Sequence, residues 1–247
     1  MNTSDMSIQS TRGAALLLLG MPALLCAQQQ TVHSAMLWGA AFGDHRFGAR
    51  SALYWDAQPR RADAGERWQI LLGAVGYTRD ITPRWRATAA LGATRGYRYG
   101  VFSRNETVEL RPWVQLQGTR PAGGFTWSDR TRVEFRVLRA TGAFAPADAD
   151  WQSTVVRLRR QDRLQHRLTE DGRWYGAASQ EFMVNVHPAR VRFAALEQSR
   201  TQLLLGRELT RRNRIESGYG LQYFTRRGGV ELNHTLLVYF RSSTPFR

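Results

Sequence analysis

The sequence predicts an all-β fold, a transmembrane antiparallel up-and-down β-barrel, and three observations carry that expectation. Charged and apolar residues alternate with a period of two. In 125–139, Arg130, Arg132, Glu134 and Arg136 share one parity while Thr131, Val133, Phe135 and Val137 share the other. A strand sends alternate side chains to opposite faces, whereas a helix would scatter them around its cylinder. The charged face is, secondly, nearly all Arg and Glu, without the Ser and Thr that usually dilute the wet face of a sandwich strand. An apolar wall towards lipid and a charged wall towards a confined interior is what a closed membrane barrel requires. Finally, turn-forming residues punctuate the chain at Gly43-Asp44, 80–83, 121–124, His187-Pro188 and 227–229, so that neighbouring strands are joined as hairpins.

Taken in order, residues 1–27 read as a secretory signal peptide. Arg12 precedes an apolar run, 13–25, that is too short to span a bilayer, and Cys26, Ala27 and a glutamine tract follow. Cys26 is the only cysteine, and Leu25 before it is too bulky for lipoprotein cleavage. The mature chain, 28–247, then has no thiol and forms one barrel domain. Strands are expected over 33–42, 46–56, 67–78, 84–99, 105–117, 125–139, 151–161, 173–186, 191–208, 213–224 and 230–241. Glu109 and Arg111 oppose Val108, Leu110, Val114 and Leu116 in the fifth, and Arg157 and Arg159 oppose Val156 and Leu158 in the seventh. Polar gaps at 58–66, 141–150 and 162–172 read as loops. Bacterial single-chain barrels have even strand numbers, so twelve strands are favoured over ten. The twelfth would hide in 191–208 or between Gln161 and Arg173; ten would leave 33–42 outside the barrel. Aromatic girdles are expected from Trp55, Trp68, Tyr77, Trp85, Tyr97, Tyr99, Trp127, Trp151, Trp174, Tyr219, Tyr223 and Phe240. The last strand is expected to end near Phe240, with the usual terminal aromatic signal either displaced or supplied by Phe246.

The formal charge is +15, and all 35 basic residues are Arg. They are spaced one in two along apolar strands, with no basic patch or helix, which argues against nucleic acid as a partner. On the inward parity the expected lumen ladder is Glu109, Arg111, Arg130, Arg132, Glu134, Arg136, Arg157, Arg159, Glu181, Arg200, Arg214 and Glu216. Arg46, Arg50, Arg86, Arg98, Glu208 and Glu231 extend it. Paired guanidinium and carboxylate groups replace the solvation each loses in a narrow lumen, and the surplus Arg favours anions. Two readings follow, a filled barrel braced by its ion pairs, which is the default, and a small anion-selective channel for acidic solutes.

The order Glu109-x-Arg111-x-Trp113, Arg130-x-Arg132-x-Glu134-x-Arg136, Arg157-x-Arg159, Gln180-Glu181-Phe182-Met183-x-Asn185, Glu197-Gln198-Ser199-Arg200, Gly218-Tyr219 with Gln222, and Asn233-His234 resembles the bacterial family catalogued as domain of unknown function 2490. That resemblance implies an outer-membrane β-barrel of a Gram-negative bacterium and no particular reaction. Lipopolysaccharide and the barrel-assembly machinery are the partners such a location implies. A lipid-acting hydrolase on the outer wall would need a Ser with a His and an orienting group. His234 beside Asn233, with Ser179, Ser199 and Ser217, supplies residue types but no joining motif. His33, His45, His166 and His187 lack metal-ligand spacing, and no cofactor fingerprint occurs.

Overall fold

The structure, a computed structural model, describes residues 30–100, 106–143, 145, 150–186, 196–226 and 228–243. The expected signal peptide, Phe246 and the start of the expected strand 191–208 lie outside them. Eleven strands are found among the described residues: β1 (Gln30–Arg46), β2 (Ser51–Ala62), β3 (Arg67–Asp80), β4 (Trp85–Gly96), β5 (Glu106–Ala122), β6 (Phe125–Thr141), β7 (Gln152–Arg167), β8 (Trp174–Asn185), β9 (Leu196–Glu208), β10 (Asn213–Arg226) and β11 (Gly229–Ser242). Each pairs antiparallel with the next, and β1 pairs parallel with β11 from Gln30↔Gly229 to Gly43↔Ser242, which closes the barrel.

Neither twelve strands nor ten is therefore correct. An even number is required only when the closing seam is antiparallel. With an odd number the first and last strands of a meander run the same way, and the seam must be parallel, at a small loss of stability per residue. The eleven sequence segments are the eleven strands. The segment 33–42 lies in the wall as β1, and no extra strand separates β7 from β8. Two expected loops shrink, because β2 continues to Ala62 and β7 to Arg167, with only a short 3-10 turn at Asp63–Gly65 after β2.

Hairpin ends follow local chemistry. Gly123 and Gly124 both take positive φ, +53° and +84°, which suits glycine in the two-residue β5–β6 turn. In the β7–β8 turn the Thr169 hydroxyl and the Arg173 amide donate to Asp171 at 2.6 and 3.0 Å and hold its carboxyl below the ordinary carboxylate range.

Parity decides the two walls. Val75, Leu91, Leu110, Val114, Leu116, Phe135, Leu158, Phe182, Leu203, Leu205, Leu236 and Val238 are exposed on the outside, whereas Glu109, Arg132, Glu134, Arg157, Glu181 and Arg200 are buried within. The inner wall is uneven. Its β3–β4 sector presents Ala74, Gly76, Thr88, Ala90, Gly92 and Thr94, while the sector from β5 to β9 presents long charged side chains. Among the expected girdle residues Trp68, Tyr77, Trp85, Trp151, Trp174, Tyr219 and Phe240 are exposed, but Tyr99 is buried and donates to Glu231 at 3.0 Å. Tyr99 lies beyond the end of β4, where strand parity no longer applies.

Gly206 shows how tightly the inner wall is fitted on the β8–β9 side. A Cβ there would lie 2.2 Å from the ring of Tyr175, its cross-strand partner, whose hydroxyl donates to the buried Glu216 at 2.8 Å. Gly206→Val should displace the ring, break that bond and lower the stability of the refolded barrel by about 1–3 kcal/mol. An unchanged urea midpoint would refute this packing.

Candidate functional site

Ion pairs on neighbouring strands build the interior from Glu134 outwards. Its side chain is fully buried at mid-length of β6 and meets Arg157 Nη2 at 2.5 Å, Arg159 Nη1 at 2.6 Å, Arg132 Nη1 at 3.6 Å and Arg111 Nε at 4.0 Å. Registers explain the meeting. Glu134 lies directly across from Arg157 on β7, and Arg111 and Arg132 share its inward parity. Glu181 on β8 is the second hub, 2.7 Å from both Arg130 and Arg159 and 3.3 Å from Arg200. Glu109 holds Arg111 at 2.6 Å and Arg136 at 2.8 Å. Each carboxylate takes charge-assisted hydrogen bonds, so the network is both a set of cross-strand ties and a way to keep arginines charged away from bulk water.

Ten of the twelve expected ladder residues thus join one network on β5–β9. Glu216 is apart from it, bonded to Arg163 at 2.7 Å and Arg241 at 3.3 Å. Arg214 lines the lumen near the β9–β10 turn without an ion pair among the described residues. Arg46 and Arg86 share Asp80 near one rim, where Arg86 also holds Asp44 at 2.6 Å. Glu208 lines the cavity at the end of β9, and Glu231 holds Arg226 at 2.7 Å. Arg50 and Arg98 are exposed outside the strands and do not stand on the inner wall as expected.

Strict alternation missed Glu197. It bridges Arg136 at 3.0 Å and Arg157 at 3.1 Å, although Gln198 and Arg200 occupy the inward parity of β9. The register slips here: Met183 pairs Gln198 and Val184 pairs Leu196, so Glu197 is the extra residue of a β-bulge and turns inward beside Gln198. Arg60, Trp38 and Trp113 also stand on the inner wall, although the expected ladder held only charged residues and placed none of the three there. Arg60 and Arg132 pack over Trp38 and Trp113 at 3.8 and 3.7 Å from the ring centroids.

The long charged side chains crowd one sector, and the small residues of β3–β4 leave room opposite. A cavity of about 1500 Å³ results, lined by residues near both ends of the barrel, among them Gln30, Tyr97 and Arg226 at one and Asp44, Arg86 and Ser243 at the other. Fourteen arginines line it against six acidic residues. The interior thus holds both the ion-paired sector expected of a filled barrel and free space beside it.

Residues 35–233 match the family described as "Protein of unknown function (DUF2490)". The chain belongs to that family. The match contains the whole charged network of this DUF2490 chain. No curated protein and no solved structure matches it.

The outer wall of the DUF2490 barrel holds the remaining candidates. His234 is bonded to the Tyr219 hydroxyl at 2.7 Å and to His33 at 3.0 Å across the β1–β11 seam, with the two imidazoles stacked. Ser199 instead accepts from Gln180 at 2.7 Å, and Ser179 points inward to Gln202 at 3.3 Å. Neither Ser199 nor Ser179 is therefore brought to His234. Towards the β5–β6 turn, Asp129 pairs with Arg120 and Arg160 at 3.1 Å each, and Trp127 Nε1 donates to Asp162 at 3.1 Å.

Proposed function

We propose that this chain is an outer-membrane β-barrel, exported after removal of its signal peptide, whose net-positive lumen admits small acidic solutes. One observation carries the reading: a lumen cavity of about 1500 Å³ lined by fourteen arginines and six acidic residues. Confined positive charge behind low-dielectric walls focuses a field that concentrates anions and repels cations. The outer wall supports the location. Its exposed leucines, valines and Phe135 would be an aggregation hazard in water and are at home in lipid. The Asp129–Arg120–Arg160 cluster lies towards a rim, where headgroups and water solvate charge. Lipopolysaccharide and, during biogenesis, the barrel-assembly machinery are the partners this location entails.

Planar-bilayer recordings of the purified protein in a salt gradient test the reading. Discrete steps with an anion-selective reversal potential are expected, and Arg212→Glu with Arg214→Glu, at the β9–β10 end of the cavity, should shift the selectivity towards cations. Folded protein that gives no steps would leave the ion pairs as a scaffold only. Heat-modifiable mobility in the outer-membrane fraction checks the location, and recovery of the mature protein in the soluble fraction would refute it.

A further inference from the structure

Six arginines are buried in the barrel: Arg60, Arg111, Arg132, Arg157, Arg159 and Arg200. Five of them have a carboxylate within 4.0 Å. Arg60 has none among the described residues. Its Nη2 donates to the neutral Gln58 side chain at 3.0 Å, and its Nε has no acceptor. The only acid of β2, Asp56, accepts the Tyr54 hydroxyl at 2.5 Å through one oxygen and makes no ion pair with Arg60. Arg200, the other cation over Trp38, is little better compensated, because Glu181 is shared with Arg130 and Arg159. The Trp38 ring lies 3.8 Å from the Arg60 guanidinium carbon and 4.9 Å from that of Arg200, and its own N–H is also without a partner.

A buried cation without a counter-charge is strongly unfavourable, and Arg60 shares its indole with a second cation, Arg200, that has only a share of Glu181. All three side chains line the lumen cavity, so the missing negative charge can come from a solute. Guanidinium forks pair with carboxylates and phosphates through parallel N–H donors, and a stacked ring restrains the fork in place. We infer that Trp38, Arg60 and Arg200 form a binding site for one oxyanion group, a carboxylate or a phosphate, on the β1–β2 side of the lumen. The inference rests on the anion-admitting lumen proposed above for access to the site. It turns a general preference for anions into a discrete stopping point along the path.

Calorimetric titration of inorganic phosphate, and separately of succinate, into the folded full-length barrel in detergent micelles tests the site, with chloride as the counter-titrant. Saturable binding at one site per barrel is expected. Arg60→Gln should weaken it by about tenfold or more, and Arg95→Gln on the outer wall should leave it unchanged. Arg60→Lys keeps the charge without the fork, and Trp38→Phe keeps a ring without the N–H. Each should weaken binding less than Arg60→Gln, and both carry the test if Arg60→Gln fails to show the mobility of a folded barrel. Saturation by phosphate alone or succinate alone assigns the anion class. Folded wild-type protein that binds neither anion saturably, or binding untouched by all three substitutions, overturns the site. Binding that depends on Arg60 without anion-selective conductance upholds the site and removes the channel, whereas anion-selective conductance with no saturable binding upholds the channel and removes the site.

Discussion

Glu134→Gln is expected to lower the unfolding free energy of the refolded barrel by about 3–5 kcal/mol, the range for breaking a buried ion pair by removing one partner. The Glu134 side chain is wholly buried and is the common partner of Arg157 and Arg159 at 2.5 and 2.6 Å, with Arg132 and Arg111 further off. Gln preserves the shape but removes the charge, so the loss reports uncompensated guanidinium and not a cavity. Arg157 retains Glu197 and Arg159 retains Glu181, which sets the upper bound. Converting Glu134 and Arg157 together to Met should recover part of the loss, because apolar replacement of a whole buried pair is often close to neutral. Urea midpoints followed by tryptophan fluorescence decide it. A single-variant loss under about 1 kcal/mol would mean that lumen water, not protein, solvates these arginines.

Alternation in β6 announced both walls from a single stretch, because Arg132, Glu134 and Arg136 can share a face only in an extended strand. It could not announce Glu197. A bulge is a local register slip between β8 and β9, written in the pairing of two strands and in neither one alone. Strand number failed for a related reason: the segments were all visible, but whether β1 meets β11 parallel or antiparallel is a property of closure. The lumen depended on side-chain volume. Ala74, Gly92 and Thr94 on β3–β4 stand opposite the long arginines of β5–β9, and that juxtaposition needs the barrel to be closed before it can be seen. Arg60 escaped notice because its strand, SALYWDAQPRRA, carries Pro59 and an arginine pair that read as the start of a loop.

The outer wall yields the sharper test of location. Phe135 is 42% exposed on β6, paired with Val156 on β7 and beside the outward Val133. Its neighbour Arg136 turns inward to Glu109 at 2.8 Å, so the two positions differ by one residue and by an entire environment. Arg at 135 in a bilayer must leave water for hydrocarbon, and at the midplane of a membrane barrel that costs about 2–4 kcal/mol. At an exposed site of a barrel in water the same change would stay within about 0.5 kcal/mol. Phe125→Arg supplies the depth control. Phe125 is also exposed, but it opens β6 beside the β5–β6 turn, where the cost should fall to about 0–1 kcal/mol as the side chain reaches the interface. Unfolding free energies measured in phospholipid vesicles should therefore rank Phe135→Arg well below Phe125→Arg and the wild type. Equal stability of all three would place the apolar wall against something other than lipid, and the lumen's anion chemistry would then have to be sought in a water-borne barrel.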